Sequence, residues 1–317
     1  MTMTLFDARY FGSRRPAWHH LGHPNRRLAT AREAFDRAGR YDVMLRPTDE
    51  PQSWKIRRGP FPRDPVYRIF GTVGPEFVLV PPDELTELWD RNVREPVETL
   101  GAVWYGRCLF MTMQLEDFEV HGDQLQNYLI FAHWLDDTAR SEVFLAPVRV
   151  VCQNTLRMAR GQATHRIVLS GGPDARERIA DSLTIAVRAT QQYAQAISEE
   201  CTRLADRRAT PEASRQVLQA AFPGDETRQT AALRLFDGAG TGMDSVAARG
   251  TLWGLYNAIA ELENFREGDT LEQAATSVLF GKRGLAIQRA FDAALACATD
   301  TSRSTPRSAE QRMPVAR

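Results

Sequence analysis

Hydrophobic positions fall into two regimes along the chain. Up to about residue 156 they alternate or form short apolar runs, as strands do; from residue 173 onward they recur at helical spacing. In the first regime, LATAREAFDRAG predicts a helix. Thr30 and Glu33 have capping-box spacing, Ala34, Phe35 and Ala38 form one apolar stripe, and Gly39 stands where a helix stops. YDVMLRP (41–47) reads as a strand, and the proline- and charge-rich PTDEPQSWKIRRGPFPRDP that follows reads as a loop. VYRIF (66–70) and FVLV (77–80) read as a hairpin ended by Pro81-Pro82. DELTELWDRNV (83–93) fits a helix with Leu85, Leu88 and Trp89 inward.

The strongest β signal lies in VETLGAVWYGRCLFMTMQL (97–115), which predicts two strands parted near Gly106. LQNYLIFAHWL (125–135) and SEVFLAPVRVVC (141–152) continue the pattern around an Asp136-Asp137 turn. VRVVCQNTLRMARG then changes from strand to helix and stops at Gly161.

In the second regime, Ile179, Leu183, Val187, Ile197, Cys201 and Leu204 mark a helix of about 35 residues. Thr210-Pro211 is an N-cap followed by proline at N1. Further helices are expected over 227–236, 251–265 and 284–298, with the loop GAGTGMDS between the first two. The fold class is α+β, an antiparallel meander followed by a mainly helical half. Residues 1–170 form an α+β domain, 171–298 a helical region packed on it, and 299–317 a disordered tail.

The charges change this picture little in total and more in layout. Forty basic residues balance forty acidic ones among 317. Residues 1–75 hold 14 Lys+Arg against 7 Asp+Glu, a net of +7, and residues 76–150 hold 5 against 14, a net of −9. Only Lys55 and Lys282 are lysines, a bias that a GC-rich coding sequence accounts for. The clusters Arg14-Arg15, Arg26-Arg27 and Lys55 with Arg57-Arg58 say more, since arginine binds phosphate bidentately and stacks on bases. A basic first quarter and an acidic second quarter could equally pair with each other.

No run of eighteen apolar residues suggests a membrane-spanning helix, and the first residues lack the apolar core of a signal peptide, so a cytoplasmic protein with no membrane partner is expected. Cys108, Cys152, Cys201 and Cys297 show no C-x-x-C spacing and read as reduced, mostly buried thiols. The imidazoles of His19, His20 and His23 lack the companion ligands of a zinc site. Cys152 with His133 or His165 is a conceivable nucleophile and base, but Cys152 ends an apolar run and reads first as a core thiol. Neither GAGTG nor SGGPD has the context of a phosphate-binding loop. No cofactor is implied, and a non-enzymatic role is favoured.

Two features have a bland and a sharp reading. Asn154 is a candidate N-cap and Gln153 its neighbour, while with Arg149 they could contact a ligand or phosphate at a helix start. Trp104, Tyr105, Tyr128, Phe131 and Trp134 form an aromatic-rich sheet, ordinarily core, though single-strand binders stack bases on such rings.

WHHLG (18–22), ETLGAVWYGRCLFMTMQL, YLIFAHW, VRVVCQNTL and WGLYNAIAELENF, in this order, resemble the phage/plasmid-like protein family, also called the domain of unknown function 932. VRVVCQNTL is the most distinctive segment, and the resemblance spans about 14–298. It implies a gene of mobile elements without an established activity, with DNA metabolism or evasion of host defence as its theatre. The β-β-β-α layout of 97–160 is also similar to that of single-strand annealing proteins. The reading that follows is nucleic-acid binding, to single-stranded DNA, in recombination or replication. Arg14, Arg15, Arg57, Arg58 and Arg149 would meet phosphates, Trp104 and Tyr105 would stack bases, and Gln153 and Asn154 would add polar contacts. The alternative is a factor that uses its acidic second quarter to bind and inhibit a host defence protein. A homo-oligomer is open under either reading.

Overall fold

CLFMTMQ and YLIFAHW are apolar at nearly every position, which suits strands covered on both faces. The computed structural model describes residues 11–12, 23–24, 29–60, 64–93, 95–149, 166–168, 174–265, 268–269 and 271–299. In chain order the elements begin with β1 (Phe11–Gly12), β2 (His23–Pro24) and helix α1 (Ala31–Ala38). Next come β3 (Val43–Pro47), β4 (Trp54–Arg58), β5 (Arg68–Val73) and α2 (Pro82–Asn92). The central strands are β6 (Thr99–Val103), β7 (Cys108–Gln114), β8 (Phe118–Val120), β9 (Asp123–Gln126), β10 (Tyr128–Trp134), β11 (Arg140–Leu145), β12 (Val148–Arg149) and β13 (Arg166–Val168). The helical half holds α3 (Ala175–Ala205), α4 (Pro211–Ala221), α5 (Glu226–Arg234), a π-helical turn over Leu235–Ala239, α6 (Leu252–Asn264), α7 (Leu271–Phe280) and α8 (Lys282–Thr299). The architecture is α+β, as the patterning predicts.

Seven strands form the main sheet in the order β13-β11-β10-β7-β6-β1-β2, antiparallel except between β1 and β2. Its two faces pack against different partners. Leu109, Met111, Leu129, Phe131 and Val143 point toward α1, α2, the first half of α3 and the inner face of the β3-β4-β5 sheet. Cys108, Phe110, Ile130, Trp134 and Phe144 point the other way, where Leu279 and Phe280 of α7 cover them. A separate core joins the second half of α3 to α4, α6 and α8. α3 therefore crosses from one core to the other, with Ile179, Leu183 and Val187 in the first and Ile197, Cys201 and Leu204 in the second.

Local capping chemistry matches the sequence. Thr30 Oγ1 accepts from Glu33 N–H at 3.1 Å, and Gly39 adopts φ 90° at the helix end. Thr210 and Thr251 cap α4 and α6 in the same way, through Ala213 N–H at 3.2 Å and Gly254 N–H at 3.1 Å.

Four expectations are corrected. The stretch read as a loop after residue 47 contains β4, and β5 pairs with β4 instead of with 77–80. WKIRR alternates, with Ile56 fully buried and Lys55 outward, but prolines and charges on either side mask the period. Phe77, Leu79 and Val80 pack onto the first core without joining a strand, and the chain turns into α2 at an extended Pro81. The meander is also interrupted: β8 and β9 leave the main sheet and pair with β12 in a three-stranded sheet of their own. Finally, α7 fills a stretch for which the periodicity gives no element.

Candidate nucleic-acid interface

The β3-β4-β5 sheet turns one face inward, through Val43, Ile56 and Val73, and the other to solvent. The outward positions are Met44 and Arg46 on β3, Lys55 and Arg57 on β4, and Ile69 and Thr72 on β5, with no carboxylate among them. Arg46 stands directly opposite Lys55, and Met44 opposite Arg57. Like charges facing each other across a strand pair are unfavourable. Among the described residues, Arg46, Lys55 and Arg57 form no ion pair that would relieve the repulsion. Beside them Tyr67 and Ile69 are each 55% exposed, high for side chains of this size, and the Arg57 guanidinium lies 4.3 Å from the Tyr67 ring centroid.

The inner side of the same strands shows how the fold treats a like-charged pair it must bury. Arg58 stands opposite Arg68, and Asp64 sits between them. Arg58 Nη2 donates to Asp64 Oδ2, and Arg68 binds both carboxylate oxygens at 3.1 Å. Burial works to raise the Asp64 carboxyl, yet the hydrogen bond from Arg68 and the two guanidinium charges outweigh it and hold it below the usual carboxylate range. Burial in turn lowers Arg58, against the opposing pull of Asp64. The inward pair has its counterion; the outward pair has none.

The tip of the β6–β7 hairpin docks beside this sheet. Trp104, Tyr105 and Gly106 all adopt positive φ, 52°, 61° and 89°, a conformation that bulky side chains seldom take. It delivers the Gly106 carbonyl to Tyr41 Oη at 3.2 Å and sets the Tyr105 ring 4.1 Å from the Arg68 guanidinium. Arg107, exposed at the same tip, lies over Phe70 at 5.6 Å. Trp104 points the other way, into a cluster with Trp134 and Phe280 at 6.5 and 6.1 Å.

Among the described residues expected to meet phosphate, Arg57, half-buried, is the one placed on the outward side of the sheet without a carboxylate partner. Arg58 is wholly enclosed by its pairing with Asp64. Arg149 is also fully buried: its Nε donates to Asp123 Oδ2 at 2.6 Å, and its Nη1 and Nη2 donate to the carbonyls of Thr241 and Gly242 at 3.1 and 3.2 Å. Both guanidiniums serve the interior and offer no surface to a phosphate. Trp104 and Tyr105 are half-buried, the first within an aromatic core and the second under Arg68. Arg14, Arg15, Gln153 and Asn154 lie outside the described residues. Sequence reasoning missed Arg46, Tyr67 and Ile69 as surface groups; their signal is the two-residue spacing of Met44 and Arg46 along β3 and of Tyr67 and Ile69 where the chain enters β5.

The basic and acidic quarters do pair in part. Arg32 of α1 binds Glu87 of α2, and Arg40, just beyond α1, binds Asp83. Arg176 of α3 binds Glu84. These contacts engage three of the carboxylates of α2, whereas the cations on the outer face of β3-β4-β5 have no such partner among the described residues.

Other chemistries find less support. Cys108 and Cys201 are buried and form no disulfide, whereas Cys152 and His165 lie outside the described residues. His133 is buried on β10, its Nδ1 2.7 Å from Ser141 Oγ, and burial lowers its pKa to about 4. Among the described residues no group of His, Cys, Asp and Glu could hold a metal ion, and no helix is long and apolar enough to cross a membrane; His19 and His20 lie outside them.

Sheet, hairpin tip and helical half together define an α+β chain with one carboxylate-free cationic sheet face and a buried polar junction at Asp123. The chain belongs to the family described as Domain of unknown function (DUF932), whose model matches residues 69–278. That match contains the hairpin tip and the Asp123 junction, while β3 and β4 precede it. No curated protein and no solved structure matches significantly.

Proposed function

We propose that the chain binds nucleic acid across the outer face of β3-β4-β5, without catalysis, in the recombination or replication of a mobile element. The observation that carries this reading is the Arg46–Lys55 pair, two cations held opposite each other with Arg57 alongside and no internal counterion among the described residues. A polyanion laid across the sheet supplies the missing charge, and Arg107 at the hairpin tip extends the positive surface. The mobile-element setting comes from the family resemblance of VRVVCQNTL and WGLYNAIAELENF.

Fluorescence anisotropy with a labelled oligonucleotide over a salt series tests the proposal. Affinity is expected to fall steeply with salt. The variant Arg46→Ser/Lys55→Ser/Arg57→Ser should reduce the log–log slope by about 2 to 3, one phosphate contact for each cation removed. Absence of binding at low salt refutes the reading, as does an unchanged slope in the triple variant.

A second reading, a protein-binding factor directed at a host defence complex, draws on the opposite pole. Glu95, Glu116, Asp117 and Glu119 are exposed and form no ion pair among the described residues. Loss of a stoichiometric protein partner in a Glu116→Lys/Asp117→Lys variant, with oligonucleotide binding intact, would favour it.

A further inference from the structure

We infer that the outer face of β3-β4-β5 takes single-stranded rather than duplex nucleic acid, with Tyr67 as the residue on which a base stacks and Ile69 as the apolar floor beside it. This inference rests on the reading above and adds to it the class of polynucleotide.

Phosphate binding alone needs cations and has no use for apolar side chains. Yet Val66, Tyr67 and Ile69 are 53%, 55% and 55% exposed, clustered at the start of one edge strand, next to the uncompensated cations. Ile69 stands directly opposite Arg57 across β4–β5, so apolar and cationic groups alternate over the same few ångströms of sheet. Duplex DNA hides the faces of its bases, whereas a single strand offers phosphates and unstacked rings together, the combination this surface complements.

The geometry around Tyr67 is that of a prepared platform. Arg57 lies over the ring at 4.3 Å, which limits the rotamers of both side chains, and more than half of the tyrosine remains open to solvent. The same guanidinium, held close to the ring, is placed to meet the phosphate next to a stacked base. Tyr105 lacks this openness, since it is half-buried and lies under an Arg68 already engaged by Asp64. The overall shape agrees. Three strands abreast present a broad face, whereas duplex readers insert a helix or a two-stranded ribbon into a major groove about 12 Å wide.

The test compares three labelled probes at low salt with the full chain: a dT oligonucleotide, an abasic strand of equal length, and the corresponding duplex. The dT strand is expected to bind about fivefold or more tighter than the abasic strand, as one stacked base provides. Tyr67→Ala should erase that ratio, and Tyr67→Phe, which keeps the ring, should preserve it. Equal binding of dT and abasic strands by the unaltered protein, or tighter binding of duplex than of dT, overturns the inference while phosphate binding stands. Failure to bind any of the three overturns both.

Discussion

Trp253 and Arg149 donate to the same oxygen, Asp123 Oδ2, at 2.9 and 2.6 Å. Trp253 is 130 positions from Asp123 in sequence, so the contact ties α6 to β9 and β12, while the other Arg149 donors reach the glycine-rich loop at Thr241 and Gly242. Removing the carboxylate leaves a fully buried guanidinium without its counterion. Asp123→Ala is expected to destabilise the fold by about 3 to 5 kcal/mol. Trp253→Phe, which keeps one aromatic ring but deletes a hydrogen bond to a charged group and part of a buried side chain, should cost about 1.5 to 3 kcal/mol. Urea denaturation of the two variants checks the ranking, and an Asp123→Ala cost below that of Trp253→Phe would contradict it.

Gly254 packs the first turn of α6 against the preceding turn so closely that a Cβ there would lie 1.9 Å from the Ala248 carbonyl oxygen. Backbone cannot yield as a flexible side chain can. Gly254→Ala should therefore cost about 3 kcal/mol or more, although alanine is the better helix former by about 1 kcal/mol on propensity alone. Thermal melting decides between the two effects, since a raised midpoint would mean that propensity wins.

His133 titrates near 4 in the folded chain against about 6.5 when unfolded. Above pH 6.5 both states are neutral at this position, and its contribution to stability is complete. As pH falls from 6.5 toward 4 the unfolded state takes up a proton that the folded state refuses. Stability is then lost, by about 3 kcal/mol in all for this group. Urea midpoints at intervals between pH 7.5 and 4 should fall more steeply for the unaltered protein than for His133→Gln. Parallel curves would remove His133 as the source.

Lys55→Glu would convert the like-charged pair with Arg46 into an opposite-charged one. A cross-strand pair of this kind contributes about 0.2 to 1 kcal/mol, so the variant is expected to be slightly more stable than the parent while binding oligonucleotide more weakly. Stability and affinity moving in opposite directions would mark Lys55 as retained for binding; a variant that loses both would argue for a structural role.

What could be read directly depended on how local each determinant is. The caps at Thr30 and Thr210 act within four residues, so their spacing announced α1 and α4. The fully covered strands β7 and β10 stood out as apolar runs. β4 did not, because its inward residues are only Trp54, Ile56 and Arg58 among prolines and charges. The Arg57-Arg58 dipeptide shows the limit for the site. Successive strand residues face opposite ways, so one of the two must turn inward. Which one does so depends on Asp64, whose side chain offers the counterion that makes burial of Arg58 tolerable. Arg149 looked like a phosphate ligand for the same reason: its carboxylate partner is 26 positions away and reaches it only through the β9–β12 pairing.

α3 contains neither glycine nor proline through its 31 residues, and at 1.5 Å per residue it extends for about 46 Å. Its two ends are anchored in different interiors. Because both interiors share this one continuous helix, the sheet layer cannot turn against the helical half without bending α3 or unseating one of its ends.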